Sequence, residues 1–515
     1  MIRFLLRRLL SSALVLLVVS FAVYMLLDFA MDYFEDLRTS TSPNVEALYE
    51  ARIRLLDLET PVLLRYFGWL GGAAGCVIGQ CDLGTAWVSG EAVTSMIPGR
   101  IANTVKLVTA ATFIAILLGM AVGLVSAIRQ YSGFDYLITF FSFLMYSLPI
   151  FWVAVLLKQY GAIEFNNFLR DPSVGWPAIF AVTILSAIFW TLAFGGGWRK
   201  KGITFGTAFV VTFAVIYWIL ATGWIQNPQI GILGVAVVSL AAAVVITYLS
   251  TGLGNRRALY SALATAVLGI VMWYVMQWVF WYLQNIMNWG FVLLFLAVAI
   301  ALGMGVGLAF GGPDKWANAR TAGFVAVVSS FMVFIDRVFQ EWTAYGNYPG
   351  INGRPIATIG ASLPNIQGNF WFLQLDTFTH LLLPSIALIL ISFASYTRYT
   401  RGSMLEVMNH DYIRTARAKG LSERTVIMRH ALRNALMPLA SIIPVDIITM
   451  IGGAVITETI FGWNGMGKMF IDAMNRNELD PVMAYILITG ILAIVANLVA
   501  DFLYAVLDPR IRVAD

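Results

Sequence analysis

Apolar residues run along this chain in long unbroken stretches, separated by short polar punctuation. Twelve such stretches lie near residues 4–27, 104–127, 136–157, 177–194, 203–222, 231–249, 259–282, 289–310, 321–336, 381–397, 436–457 and 482–507. Most approach the roughly 20 residues that a helix needs to cross a bilayer. They are too long, and too rich in Gly and Ala, to be sheet strands. Backbone polar groups in lipid must be satisfied within the segment, so the pattern predicts an all-α polytopic membrane protein of about twelve transmembrane helices. The first stretch follows "MIRFLLRR", has no small-residue cleavage site and is longer than a signal-peptide core, so it is expected to stay as a helix.

Charge orients these spans. With Arg3, Arg7 and Arg8 on the cytoplasmic side, every later loop is assigned a side. The inside segments are the amino-terminal flank, 128–135, 195–202, 250–258, 311–320, 398–435 and 508–515. They hold two-thirds of the 33 Lys and Arg residues, although most are short. "GGGWRKKG" and "GNRRALY" inside stand against "GWIQNPQIG" and "LQNIMNWG" outside, the asymmetry of the positive-inside rule. Both termini are expected in the cytoplasm. Composition agrees with a membrane protein: 59% of the 515 residues are hydrophobic and only 12% charged, mean hydropathy is +0.79, and a soluble domain carries about 25% charged residues. The net charge of +5 fits basic cytoplasmic loops and calls for no nucleic-acid partner.

Gly462 to Lys468, within "ETIFGWNGMGKMF", reads G-x-x-x-x-G-K, one residue short of a phosphate-binding loop. Such a loop needs a strand before it, a helix after it and Ser or Thr behind the Lys to hold Mg²⁺. Here the next residue is Met469, an apolar span precedes, and the segment is assigned to the outside. Nucleotide binding is not expected there, so any ATP that drives this protein must be bound on another chain. His380, His410 and His430 form no zinc spacing and no Ser/Cys–His nucleophile pattern, so metal and intrinsic catalysis are not expected. Cys76 and Cys81 both fall in the first outside loop, 28–103. An oxidising exterior permits a bond between them, the other reading being two unpaired thiols packed in the loop.

The long inside segment Arg398–Pro438, "RYTRGSMLEVMNHDYIRTARAKGLSERTVIMRHALRNALMP", is the most informative. Tyr412–Lys419 is expected to form a short helix ended by Gly420, and Ser422 to cap the next helix. Topology alone explains the basic residues there. It does not explain the helix–Gly–helix layout or the small residues Thr415, Ala416 and Ala418.

"DYIRTARAKGLSERTVIMRHALRNALMP" resembles the EAA loop of binding-protein-dependent ABC transporter permeases, most closely the B-subunit type of dipeptide/oligopeptide importers. The family's Glu-Ala-Ala-x-x-x-Gly falls on Arg414, Thr415, Ala416 and Gly420, so the acidic first residue is absent. "RFLLRRLL", "CDLGTAW", "IPGRIANTVKL", "YSLPIFWVAVLL", "GGAVITETIFGWNGMGK" and "LDPRIR" are similar to family segments in the same order, and Pro149 is expected to distort the third span. The family's P-G-D-P stretch after span one is replaced by "DFAMDYFEDLRTSTSP".

The resemblance covers roughly residues 1–165 and 375–515. It implies a type I importer permease core in two parts, 1–165 and 346–515, with the coupling loop at 398–438. Residues 166–345 then form an insertion of about six extra spans. That insert is expected to lack buried charge clusters, and to be either a lipid-facing annex or a docking surface for another membrane protein.

The resemblance further implies a multi-pass subunit of the bacterial cytoplasmic membrane that forms a translocation path for di- or oligopeptides. Its implied partners are a second, related permease, two ABC ATPase subunits that bind ATP and Mg, and an extracytoplasmic solute-binding protein. No cofactor is implied on this chain. Asp411, Tyr412, Arg414, Thr415, Ala416, Lys419 and Gly420 are the implied ATPase-coupling residues.

Ionisable residues within spans are functional candidates. Asp446 is expected either to line the path or to contact the partner permease. Asn497, Asp501, Tyr504 and Asp508 share one helix face, and Asp501 is expected to pair with a neighbouring helix. Gly452 and Gly453 suit close helix approach. Three competing readings remain. An ion-coupled secondary transporter requires a repeat between halves, which is not seen. A membrane scaffold that has lost transport would not need an intact coupling loop. A nickel or other small-solute importer shares the same loop motifs.

Overall fold

The computed structural model describes residues 2–38, 44–452 and 454–507, almost entirely as helices. Among the described residues eleven helices are long and apolar enough to cross a membrane, and a bent pair makes a twelfth crossing. All twelve coincide with the apolar stretches. In chain order the first half runs from α1 (Ile2–Ala30) through an outer segment containing α2 (Val62–Gly75) and a small antiparallel hairpin, β1 (Thr85–Ala86) with β2 (Glu91–Ala92). It continues as α3 (Val93–Ile128), α4 (Gly133–Ser147) and α5 (Ile150–Leu156). Next come α6 (Trp176–Phe194), α7 (Trp198–Ala221), α8 (Gly231–Ser250), α9 (Arg256–Leu283), α10 (Trp289–Ala309) and α11 (Lys315–Phe339). The last part comprises α12 (Phe370–Met408), α13 (Asp411–Ala418), α14 (Met437–Ile451), α15 (Val455–Ile460), α16 (Met466–Asn475) and α17 (Leu479–Leu507).

The third crossing is broken where Pro149 stands. The residue before a proline is pushed out of helical geometry, and Leu148 is extended at φ −79°, ψ 130°. The helix restarts at Ile150, bent by 101°, and soon widens into π geometry over Leu157–Glu164. Two helices outrun their apolar stretches. α3 starts at Val93, well ahead of the stretch at 104–127, and α12 spans Phe370–Met408 around the stretch at 381–397. Hydropathy marks where lipid begins, and polar residues continue these helices beyond it.

α3 and α12 are the central pair. They approach so closely that a Cβ on Gly119 would lie 2.6 Å from Tyr396 Cβ, and one on Gly123 would lie 2.7 Å from the Thr397 carbonyl. Small residues permit this contact in lipid, where packing and not water expulsion holds helices together. Helices α8 to α11 use the same device: Ala243, Ala258, Ala262, Ala266, Ala319 and Ala322 are fully buried, and Gly307 lies against the α11 backbone at Ala319. α7 buries none of its residues and leans mainly on α6, with Ser186 and Thr212 hydroxyls 2.9 Å apart. This bundle meets the core through Trp371 of α12, whose ring lies 4.6 Å from Phe280 and 5.6 Å from Phe334.

Among the described residues this bundle holds one fully buried acid, Asp336. It accepts hydrogen bonds from the Trp273 indole (2.7 Å), the Gly231 amide (2.7 Å) and the Gln340 side chain (3.0 Å). Arg337 pairs with Glu341 one helical turn on, at 3.0 Å. Asp336 lay in the apolar run "FMVFIDRVF", and its partners are up to 105 residues away.

The loops sort onto two faces as charge predicts. On the basic face, Arg129 donates to the Phe194 carbonyl (2.9 Å), Arg401 to Asp135 and Arg424 to the Leu249 carbonyl (2.9 Å). On the opposite face, Thr85 and Val88 contact Asp480 and Glu478, Asn166 contacts Ile356, and Thr343 contacts Asn227.

Candidate functional site

The basic face carries a hairpin built on the end of α12. Arg398 and Arg401 still belong to that helix, so the loop proper begins at Asn409. α13 spans Asp411–Ala418, Lys419 caps it, and Gly420 turns the chain at φ +76°, a left-handed conformation that favours glycine. Ser422 Oγ accepts from the Thr425 amide as the expected cap, but regular α geometry lasts only from Glu423 to Thr425. The chain then takes π geometry over Val426–Ala431 before Leu432–Ala435.

The hairpin has its own small core. Ile413 and Ala416 pack with Val426, Ile427, Ala431 and Ala435, against Met404 and Val407 of α12 and Ala127 of α3. Ala416 is therefore a packing residue. Asp411, Tyr412, Arg414, Thr415, Lys419 and Gly420 are exposed together on the outer surface of the hairpin. Tyr412 OH accepts from Asn434 Nδ2 at 2.7 Å, Thr415 Oγ1 donates to the Asp411 carbonyl at 2.9 Å, and Arg417 holds Glu423 across the turn at 2.6 and 3.1 Å. The surface is a preformed knob of mixed charge.

Its base is clamped by a pair that local sequence did not reveal. Arg401 Nε and Nη2 donate to the two Asp135 oxygens at 2.7 and 2.9 Å, and Asp135 also accepts from Ser126 Oγ and the Tyr131 amide. Asp135 is almost fully buried. Ser403 Oγ donates to the Ala435 carbonyl at 2.8 Å, so both legs of the hairpin are tied to α12.

At the opposite face the Gly462–Lys468 turn proves to be a packing device. Glu458 in α15 is fully buried, and its carboxylate accepts from Thr104 Oγ1 (2.7 Å) and the Lys468 amide (3.0 Å). Thr104 in turn accepts from the Met466 amide at 2.8 Å, and Trp463 Nε1 donates to the Asn103 carbonyl at 3.0 Å. A Cβ on Gly465 would collide with Glu458 and Thr104, and one on Gly467 would lie 2.6 Å from Val455 Cα. The glycines thus serve close approach to α3 and α15. The Lys468 amide is already taken by a carboxylate, and Lys468 Nζ pairs with Asp472, so the turn offers a phosphate no free cradle. Burial holds the Glu458 carboxyl above the usual carboxylate range, against the pull of Thr104, the Lys468 and Gly467 amides and Arg100.

The "CDLGTAW" segment docks beside this turn. The Thr85 amide donates to Asp480 at 3.0 Å, the Val88 amide to Glu478 at 2.9 Å and Trp87 Nε1 to the Asn477 carbonyl at 3.1 Å. Cys76 and Cys81 are joined by a disulfide at the end of α2.

The span candidates do not converge on one site. Asp446 of α14 accepts from Tyr396 OH of α12 at 3.0 Å, an intrachain contact. Gly452 is buried just after α14, and Asn497 is exposed on α17. Gly453 and Asp508 lie outside the described residues, as do the side chains of Asp501 and Tyr504.

A twelve-crossing helical membrane protein with a clamped helix–Gly–helix knob on its basic face has the build of a transporter's membrane subunit. The chain belongs to the binding-protein-dependent transport system inner membrane component family, whose model matches residues 258–513 while the companion model of its amino-terminal part matches residues 1–108. It is 48% identical over 137 residues to the oligopeptide transport system permease protein AppB of Bacillus subtilis (strain 168), covering 27% of this chain and 43% of that protein. It is 47% identical over 146 residues to the dipeptide transport system permease protein DppB of Escherichia coli (strain K12), covering 28% and 42%. It is 47% identical over 154 residues to the di/tripeptide transport system permease protein DppB of Pseudomonas aeruginosa (strain UCBPP-PA14), covering 30% and 45%. The aligned part thus spans somewhat under half the length of these relatives, which are permease subunits, not enzymes.

Proposed function

We propose that this chain is the translocation subunit of an ATP-driven importer of di- or oligopeptides in a bacterial cytoplasmic membrane, with both termini and the 409–438 hairpin in the cytoplasm. The observation that carries this reading is the hairpin. Its apolar side is locked onto α3 and α12, and its exposed side presents Asp411, Tyr412, Arg414, Lys419 and Gly420. A rigid knob clamped to the central helix pair passes a push from an ATPase directly to the membrane core. The positive-inside bias supports the orientation, and the relatives' names support peptides as cargo over nickel.

In this reading ATP and Mg sit on two separate ATPase subunits, this chain binds no cofactor, and a second permease completes the path. A solute-binding protein delivers peptide to the face that carries Glu458 and the "CDLGTAW" segment. Residues 166–345 are an insertion into the six-helix core. ATP binding shifts the population between inward- and outward-open states only as far as it binds one of them better. Asp446 contributes a polar contact close to the path.

The test is affinity purification of the tagged chain from its native membrane, with mass spectrometry of co-purifying proteins and peptide uptake in parallel. Two ATPases and a second permease are expected with the wild type. Gly420→Asp is expected to lose both ATPases and uptake while still inserting, because a side chain there strains the φ +76° turn of the hairpin and leaves the membrane spans untouched. A Gly420→Asp variant that keeps uptake overturns the coupling role, and a chain that purifies alone and transports on an ion gradient overturns the importer.

A further inference from the structure

On the face opposite the coupling hairpin, the segment 350–359 folds over the end of the third crossing and leaves a cavity of about 260 Å³ against α12. Its walls are fixed by hydrogen bonds. Asn166 grips the backbone of Ile356, donating to its carbonyl at 2.8 Å and accepting from its amide at 3.1 Å. Asp376 of α12, 1% exposed, stands behind the wall and accepts from Tyr345 OH at 2.9 Å and the Leu363 amide at 3.2 Å. Ile163, Ile351, Ile356 and Leu363 make much of the lining apolar.

Two polar groups of the lining are left over. His380 is 5% exposed, and its Nδ1 lies 2.8 Å from the Asp376 carbonyl and 3.3 Å from the Asp376 carboxylate. A carbonyl only accepts, so Nδ1 carries the hydrogen and Nε2 of the neutral ring is an acceptor. Among the described residues Nε2 has no protein partner, yet it is not sealed in the interior, and the space this ring borders is the cavity. The second group is the Arg354 guanidinium at the exposed rim, which forms no ion pair among the described residues. No Asp or Glu lines the cavity to answer it. A guanidinium fork matches a carboxylate, two parallel N–H groups to two oxygens.

We propose that this cavity is a subsite for the last residue of a peptide. Arg354 takes the terminal carboxylate, His380 Nε2 accepts from that residue's amide N–H, and the apolar wall takes its side chain. One residue with a free carboxyl end carries all three groups on a single carbon. A cavity of about 150 Å³ holds benzene, and pockets for drug-sized ligands begin near 300 Å³. A space of about 260 Å³ therefore takes one residue and leaves the rest of the peptide outside. A peptide as the source of these groups rests on the importer reading, whereas the match to a carboxylate beside an N–H does not.

The experiment reconstitutes the full chain in nanodiscs, irradiates it with a tripeptide of two alanines and a carboxyl-terminal photoleucine, whose side chain carries a diazirine, and maps the labelled residues. Uptake of the same peptide by the native complex is measured in parallel. Labelling is expected within 350–363 and 163–167. It is expected to fall about tenfold for the peptide with an amidated carboxyl end, and about two- to tenfold for one methylated on its last amide nitrogen, the worth of a charged and of a neutral hydrogen bond. Arg354→Gln, at an exposed position, is expected to erase the difference between acid and amide. His380→Phe is expected to erase the sensitivity to methylation, and Arg354→Gln decides the matter if that buried variant fails to fold. Cavity labelling indifferent to both the terminal carboxylate and Arg354→Gln overturns the subsite, as does labelling confined to other parts of the chain. If nothing is labelled the subsite falls, and uptake by the native complex then shows whether the importer reading stands without it.

Discussion

Replacing Arg401 by Ala tests whether the hairpin is clamped as described. The substitution leaves Asp135, 3% exposed in its side chain, with a buried negative charge that keeps only Ser126 and the Tyr131 amide as donors. Breaking a buried pair by removing one partner typically costs about 3–5 kcal/mol. Arg401 retains 26% side-chain exposure, and some solvent screening already weakens the pair, so the lower end, about 3 kcal/mol, applies. That is roughly a hundredfold in the equilibrium for local opening, since each 1.4 kcal/mol is about tenfold. The cost belongs to the junction of α3, α4 and α12 and not to the whole chain. Backbone hydrogen exchange followed by mass spectrometry is therefore the right assay, because it resolves local opening. Amides around 124–140 and 398–408 are expected to lose protection by about this factor in Arg401→Ala, while α9 to α11 keep theirs. The double variant Asp135→Asn with Arg401→Ala is expected to recover most of the loss, because no uncompensated charge remains. Unchanged protection in the single variant, or a double variant worse than the single, would refute the clamp.

Three other outcomes follow from named contacts. Glu458 has its carboxyl pKa raised by burial, so the folded state holds its proton to higher pH than the unfolded chain, and stability falls as pH rises from the unfolded value through the folded one. Glu458→Gln is expected to flatten that slope in thermal unfolding between pH 4 and 8, and a slope unchanged by the substitution would assign it to other groups. Gly465→Ala places a methyl group against Glu458 and Thr104 and is expected to cost about 1–3 kcal/mol by overpacking, read as a lower unfolding temperature with α13 protection unaffected. Cys76 and Cys81 are expected to take two alkyl groups only after reduction, and Cys81→Ser to weaken the end of α2 by about 2 kcal/mol, the loop-closure entropy of so short a ring.

The parts of this fold that sequence made legible are those whose cause is local or periodic. Lipid imposes one length scale on every span, so twelve apolar stretches foretold twelve crossings. The Gly420 turn and Ser422 cap act within a few residues, and Pro149 breaks its helix where it stands. Asp135, Glu458 and Asp336 were missed for the converse reason. Each looks like an isolated acid beside or within apolar sequence, and each is explained by partners 266, 354 and 105 residues away. A buried acid is tolerated only when paired or hydrogen-bonded, so an acid in such a run is a signal that a distant donor exists, although not where. Ala416, named among the coupling residues, belongs to the hairpin's own core, where it packs with Val426 and Met404. What lies open to a partner are the exposed residues around it, so a replacement at Arg414 or Lys419 tests docking, whereas a side chain at Gly420 also strains the turn at φ +76°.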